Sequence, residues 1–302
     1  MGEQIVALAG TPAGELLSVA LALLSALAHA IFGAINKGGI DPFVNRGAIN
    51  VSYSLMAAPF ALFVVPWPTP ELFRILIAVY FIHLLYEWLQ SQSFHLGAFT
   101  VVYPIARGTG PLITACFAMV AFGEFLEPSQ WFGLLLLSGS IVSLALVNIR
   151  EKQKQGISAH GLQSAILVAL ATGVMIAVYT TVDAHGIRVA GNPFTFLAWF
   201  FFIGGFGFPF IAYARWRKLT VRPGLGELAA RGIFGALIAF LSFGAVMLAT
   251  RLGKVGEAAA LRETSIIFAT GIGVLIFREK IDARRLGIIA MIAVGAIMVE
   301  FH

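Results

Sequence analysis

The chain reads as an all-α integral membrane protein with ten transmembrane helices, arranged as two inverted five-helix repeats around a central cavity. Three observations lead there. Only 12% of its residues are charged while 59% are hydrophobic, about half the charge that a soluble domain spreads over its wet surface. The apolar residues fall in runs of about 20, the length at which a helix crosses the hydrocarbon core of a bilayer. The first half of the chain also echoes in the second.

Ten spans are expected, at 16–36, 47–66, 72–95, 98–122, 130–149, 161–182, 193–214, 228–250, 254–277 and 285–301. The first follows a segment, MGEQIVALAGTPAGE, with no Lys or Arg. It lacks the basic region of a signal peptide and is expected to be a retained helix. Pro66-Trp67-Pro68 closes the second span, and Glu127-Pro128 precedes the fifth. Gly191-Asn192-Pro193 opens the seventh, and Pro223-Gly224 leads to the eighth. In the fourth, Gly110-Pro111 is a candidate break that would open carbonyls to a pocket. The connections are too short for a soluble domain, so catalysis outside the membrane is not expected.

The net charge of +5 does not indicate nucleic-acid binding, because the basic residues form no patch with interleaved aromatics. Connections 1–2, 3–4, 5–6, 7–8 and 9–10 hold thirteen of them, including Lys37, Arg46, Arg150, Arg215 and Arg285. The other connections hold four, Arg74, Arg188, Arg251 and Lys254. Lys and Arg favour cytoplasmic loops, which places both termini outside. The single cysteine, Cys116, excludes an internal disulfide and a four-cysteine zinc site. No Walker A, HExxH, GxSxG or GxGxxG pattern stands in a strand–helix context, so neither cofactor nor metal is expected.

The repeat appears at a shift of 155 residues. It carries Arg107 onto Arg262, Thr109 onto Thr264, Phe122 onto Phe277 and Glu124 onto Glu279. Pro59-Phe60 maps onto Pro209-Phe210 at a shift of 150. The halves are then residues 1–150 and 151–302. An odd number of spans in each half makes the second enter the membrane the opposite way, a pattern of transporters.

Residues 97–139, GAFTVVYPIARGTGPLITACFAMVAFGEFLEPSQWFGLLLLSG, and 253–287, GKVGEAAALRETSIIFATGIGVLIFREKIDARRLG, carry a resemblance. With the stretch HAIFGAINK at 29–37, they resemble the EamA-type branch of the drug/metabolite transporter superfamily. The first copy ends Phe-Gly-Glu at Glu124, whereas the second ends Arg-Glu-Lys at 278–280. The resemblance implies ten spans, a central cavity and alternating access. It also implies a multi-pass protein of the bacterial inner membrane that exports amino acids or other small metabolites.

Charged residues at mid-span cost about 2.5–3.5 kcal/mol each on insertion scales. Glu87, Arg107, Arg262 and Glu263 therefore pair with one another or line a wet cavity. Spacing at three and four residues sets His83, Tyr86, Glu87, Gln90 and Phe94 on one face of span 3. Span 1 similarly presents Ser25, His29, Phe32 and Asn36, span 4 Tyr103, Arg107 and Thr114, and span 6 Thr172, Tyr179 and Asp183. Span 9 presents Ala258, Arg262, Ser265 and Ala269. Substrate-binding candidates are Arg107, Arg262, Tyr103, Tyr86, His29, His83 and Ser265. Guanidiniums suit bidentate capture of carboxylate or phosphate. Glu87, Glu263 and Glu257 are candidates for proton coupling.

Each has a plainer role. For the arginines it is to tie helices together through Glu87, Glu257 or Glu263, and for the histidines and aromatics it is packing alone. Glu124 and Glu279 lie at span ends, where an interfacial role suffices. Lys37 and Lys254 suit snorkelling. Tyr86, Tyr103, Tyr179 and Trp199 are the residues able to stack on a cationic or aromatic substrate.

The expected partners are a small-molecule substrate and membrane lipids, with a monomer sufficient for a pocket and a dimer allowed. Within the transporter class the alternative is a flippase holding a lipid headgroup. From other classes the rivals are an integral membrane enzyme, against which the scattered acids argue, and a scaffold or receptor, which has no use for mid-span charges on several helices.

Overall fold

A computed structural model describes residues 2–35, 40–154, 159–275 and 282–300. The helices are α1 (Gly2–Leu8), α2 (Pro12–Ile35), α3 (Pro42–Pro59), α4 (Pro70–Leu96), α5 (Phe99–Phe122), α6 (Pro128–Lys154) and α7 (Ala159–Val189). They continue with α8 (Pro193–Gly204), α9 (Phe208–Lys218), α10 (Leu225–Leu252), α11 (Val255–Arg262), α12 (Ser265–Leu275) and α13 (Ala283–Glu300). No strand occurs among the described residues. A single π-helical stretch, Phe60–Val64, continues α3.

The helix starts are written locally. A capping side chain followed by proline opens several of them, since proline at the first turn forgoes an N–H that has no partner anyway. Asp41 Oδ1 accepts from the N–H groups of Phe43 and Val44 at 3.0 and 3.3 Å ahead of α3. Thr69 Oγ1 accepts from Leu72 N at 3.3 Å ahead of α4, and Asn192 Oδ1 from Phe194 N at 3.0 Å ahead of α8. At the other end, α5 stops at Gly123, whose φ of 66° is the left-handed conformation that glycine adopts without strain.

Among the described residues, eight helical segments are long and apolar enough to cross a membrane: Pro12–Phe32, Pro42–Val64, Pro70–Leu96, Val101–Phe122, Pro128–Glu151, Gln163–Val189, Pro193–Lys218 and Leu225–Leu252. They show their apolar side chains outwards, with Phe63, Val120 and Phe210 among the most exposed. The remaining two expected spans fall on the broken pair α11–α12 and on α13, which has 18 residues.

Four details differ from the sequence reading. Helix α3 starts at Pro42 rather than 47, because Asp41 caps it, so Arg46 lies inside a helix instead of in a loop. Likewise Arg188 and Arg251 belong to the last turns of α7 and α10 rather than to connections. The seventh expected span is interrupted between Gly204 and Phe208. In the fourth, α5 runs without a break through Gly110-Pro111. The interruption lies instead in the matching segment, between Arg262 and Ser265.

The two halves of the sequence interleave. Helices α2 and α3 pack on α10, α4 and α5 pack on α7, and α6 packs on α13. Small residues set these approaches. A Cβ on Gly295 would lie 2.7 Å from the Gly133 carbonyl oxygen, and one on Gly173 would lie 2.9 Å from that of Ala106. The arrangement brings the polar faces of α2, α4, α5, α7 and α11 into the interior.

Candidate functional site

Six charged side chains and two histidines are buried among the described residues: Arg46, Glu87, Arg107, Asp183, Arg262, Glu263, His29 and His83. The helices hold them as cross-links. Arg46 Nη2 on α3 meets Glu87 Oε1 on α4 at 2.6 Å. The other oxygen of Glu87 accepts from Asn50 Nδ2 at 2.7 Å, and Tyr53 donates to Oε1 at 3.5 Å. His83 Nε2, one helical turn before Glu87, lies 2.8 Å from Asp183 Oδ2 on α7. Arg107 Nη1 on α5 reaches Glu263 Oε1, at the break between α11 and α12, at 3.0 Å.

Arg262 differs from the other two arginines. It is 3% exposed and has no ion-pair partner among the described residues. Its Nη1 donates to the Tyr179 hydroxyl at 3.4 Å, and its guanidinium carbon stands 4.8 Å from the Phe243 ring centroid. Nε and Nη2 have no partner. Arg107 also leaves Nε and Nη2 unpartnered, as Glu263 leaves Oε2 and Ser265 its hydroxyl. Buried donors in this state cost about 1–3 kcal/mol each. A bound group that accepts from them recovers that cost.

Aromatic rings enclose the cluster. Tyr179 lies 4.7 Å from His83 and 4.6 Å from Tyr86, centroid to centroid, and Phe200 lies 4.8 Å from His83. His29 stacks on Tyr103 at 6.0 Å, and Tyr103 in turn lies beneath Arg107 at 5.7 Å. A narrow crevice of about 20 Å³, room for about one water molecule, is lined by Arg46, Tyr53, His83, Glu87, Phe200 and Phe243 among others. No cluster of His, Cys, Asp and Glu able to hold a metal occurs among the described residues.

The sequence-predicted residues thus fall in two places. Arg107, Arg262, Tyr103, Tyr86, His29, His83, Ser265, Glu87 and Glu263 lie in the buried interior. Glu257 stands apart. It pairs with Lys254 at 3.0 Å and accepts from Gln130 Nε2 at 2.7 Å, near the start of α11. Glu87 takes Arg46 as its partner rather than Arg107 or Arg262. Glu124, read as interfacial, holds Arg188 at 2.7 Å and accepts from the first N–H of α11, Val255 N, at 2.6 Å. Trp199 packs against Trp67 at 4.9 Å, away from the charged cluster's cross-links. Asn36, Lys37, Phe277, Glu279 and the Arg-Glu-Lys end at 278–280 lie outside the described residues.

Sequence reasoning passed over Arg46, Asn50 and Asp183. The signal for Arg46 was the Asp41-Pro42 pair, which starts a helix and carries Arg46 inside it. Asp183 was on a recognised polar face, four residues after Tyr179, but its partner His83 is 100 residues away in sequence.

No curated protein matches the chain. A solved structure described only as "Crystal structure of protein" is 18% identical and covers 96% of this chain and 98% of its own, with a TM-score of 0.69. At that identity it shows a shared fold. Residues 163–301 match the EamA-like transporter family, which supports an EamA-type transporter of the drug/metabolite transporter superfamily.

Proposed function

We propose that the protein is a secondary transporter that moves a small metabolite bearing an anionic group, by alternating access to the buried cluster. One observation carries the reading. Arg262 is a fully enclosed guanidinium with two unpartnered donors and no carboxylate of its own. Arg107, held on α5 by Glu263, and Ser265, at the start of α12 three residues after Arg262, also present unpartnered donors. A carboxylate accepts from a guanidinium in bidentate fashion, and buried intramembrane charge of this kind marks substrate pathways by default. Tyr86, Tyr103, His29 and His83 shape the space around it.

The ten spans and the inverted repeat belong to the same reading. Arg107 and Arg262, matched by the 155-residue shift, both stand at the centre. Pro59-Phe60 sits where α3 passes into the π-helical stretch, and Pro209-Phe210 sits in the first turn of α9, after the interruption of the seventh expected span. Export, a bacterial inner-membrane location and external termini follow from the resemblance and the distribution of Lys and Arg. Glu87 and Glu263 would couple transport to protons only by leaving their arginines.

A second reading, transport of a lipid headgroup, rests on a different feature. An apolar groove between α2, α3, α8 and α10, lined by Leu21, Met56, Phe60, Phe194 and Leu248, shares Phe201 with the polar crevice. An acyl chain suits such a groove.

The test is a thermal-shift screen of the purified protein in detergent with amino acids, organic acids, phosphorylated metabolites and lipid headgroups. A ligand at about 100 times its Kd adds roughly 2.7 kcal/mol of stability. A saturable shift with a soluble anion, lost in Arg262→Met, supports the metabolite reading. Response to headgroups alone moves the assignment to lipid, and shifts that persist in Arg262→Met sink the anion site.

A further inference from the structure

We infer that His83 and Asp183 form the proton-binding site of the transport cycle, next to the anion site at Arg262; the inference rests on the transporter reading. The two sites share walls. Tyr179 accepts from Arg262 Nη1 at 3.4 Å and places its ring 4.7 Å from the His83 ring. Phe243 lies 4.8 Å from the Arg262 guanidinium and 6.3 Å from His83.

The remaining buried pairs are poorly suited to carry a proton. In both Arg46–Glu87 and Arg107–Glu263 the cationic partner is a guanidinium, which does not deprotonate in proteins. His83–Asp183 is the buried ion pair among the described residues whose cationic member is an imidazole, a group able to give up its proton, rather than a guanidinium. His83 also lines the narrow crevice, which has room for about one water molecule beside it. Asp183 Oδ1 has no partner, which leaves its carboxylate room to respond.

Charge counting links the two sites. The buried arginines Arg46, Arg107 and Arg262 face three carboxylates, Glu87, Asp183 and Glu263. With a neutral His83 the interior is balanced. An anion entering at Arg262 adds one negative charge, and a proton on His83 restores the balance. With Asp183 ionised, His83 Nε2 keeps its hydrogen towards Oδ2. Nδ1 then takes the proton from water and later returns it.

The other groups facing His83 do not substitute for it. On α4 they are Tyr86 and Glu87, on α7 Tyr179 and Asp183, and beyond Tyr179 and Phe243 Arg262 on α11. Phe200 on α8 and Phe243 on α10 are apolar, while Arg46, Tyr53 and Tyr80 line the same crevice.

Two measurements test this. In nanodiscs holding the full chain labelled with ¹⁵N-histidine, the His83 signal is assigned by its loss in His83→Gln. It should convert between the singly and doubly protonated forms across a pH series, with a midpoint displaced in Asp183→Asn. A His83 that stays neutral throughout, or is indifferent to Asp183→Asn, overturns the proton site. In proteoliposomes, an anion found by the screen should move several-fold faster with an imposed pH gradient than without one. In Asp183→Asn and His83→Gln that ratio should fall to about one; a ratio unchanged from wild type overturns the coupling role. A screen that yields no transported anion sinks the transporter reading, and the histidine titration then decides the proton site on its own.

Discussion

Arg107 and Arg262 occupy matching positions in the sequence repeat, yet only Arg107 holds a carboxylate, Glu263, at 3.0 Å. Glu263 directly follows Arg262, but at the break between α11 and α12 its side chain goes to α5 instead. This asymmetry separates an arginine committed to an ion pair from one that, on the proposed function, is left for an anion. Removing one member of a buried ion pair leaves an uncompensated charge and costs about 3–5 kcal/mol. Arg107→Met should therefore lower unfolding stability by about that amount. Arg262→Met, which removes a guanidinium with two unpartnered donors, should stay within about 1 kcal/mol of wild type in the absence of ligand. Chemical unfolding in detergent compares them, and equal losses would remove the distinction.

Arg46 and Glu87 should behave as a coupled unit. Glu87 receives Arg46, Asn50 and Tyr53 together, so Glu87→Gln leaves a buried guanidinium without its anion. The single changes Glu87→Gln and Arg46→Met should each cost about 3–5 kcal/mol. The double variant should recover part of this, with a coupling energy of about 0.5–3 kcal/mol in a double-mutant cycle. Additive losses would mean that the two side chains do not share the ion pair.

The helical, membrane-spanning character was plain in the sequence because length and apolarity alone set it. The interior of the site was legible for a similar reason: Arg107, Arg262, Glu87 and Glu263 are too costly to face lipid, so burial and pairing follow. Partner identity was not legible. His83 and Asp183 are 100 residues apart and Arg46 and Glu87 are 41 apart, and helix packing alone brings them together. The break of the ninth expected span was missed because Arg262-Glu263-Thr264-Ser265 contains neither Gly nor Pro, while Gly110-Pro111, which does, stays helical. Proline within a membrane helix is tolerated when neighbouring groups satisfy the freed carbonyl.

The α6–α13 contact depends on having no side chain at its crossing. A Cβ on Gly295 would sit 2.7 Å from both Gly133 O and Leu137 N, backbone atoms that cannot turn aside. Gly295→Ala should therefore separate the helices and cost about 1–3 kcal/mol, as overpacking does. Gly139→Ala is the control, since a Cβ there meets nothing within 4 Å. In helix α6 it should be neutral or stabilising by up to about 1 kcal/mol. Thermal unfolding of the two variants side by side distinguishes a packing effect from a general response to alanine.

Glu124 and Arg188 tie the start of α11 to the ends of α5, α7 and α10, but their contributions are unequal. Glu124 offers one oxygen to Arg188 and the other to Val255 N, at the positive end of the α11 dipole. Its side chain is 13% exposed and that of Arg188 is 25%, so solvent screens the ion pair only partly. Glu124→Gln keeps an acceptor for Val255 N and loses the charge, which should cost about 1 kcal/mol. Arg188 does more: Nε donates to Thr250 O and Nη2 to Gly253 O, both at 2.9 Å, and its guanidinium covers the Phe122 ring at 4.6 Å. These carbonyls belong to the last turn of α10 and its cap, which have few other donors. Arg188→Met leaves them open and frees Glu124 as well, so it should cost about 2–4 kcal/mol, since hydrogen bonds to charged groups contribute about 1.5–3 each. Hydrogen exchange should show the same order, with the amides of 253–258 losing more protection in Arg188→Met than in Glu124→Gln. The reverse order would mean that the carboxylate, rather than the arginine, fixes the entry to α11.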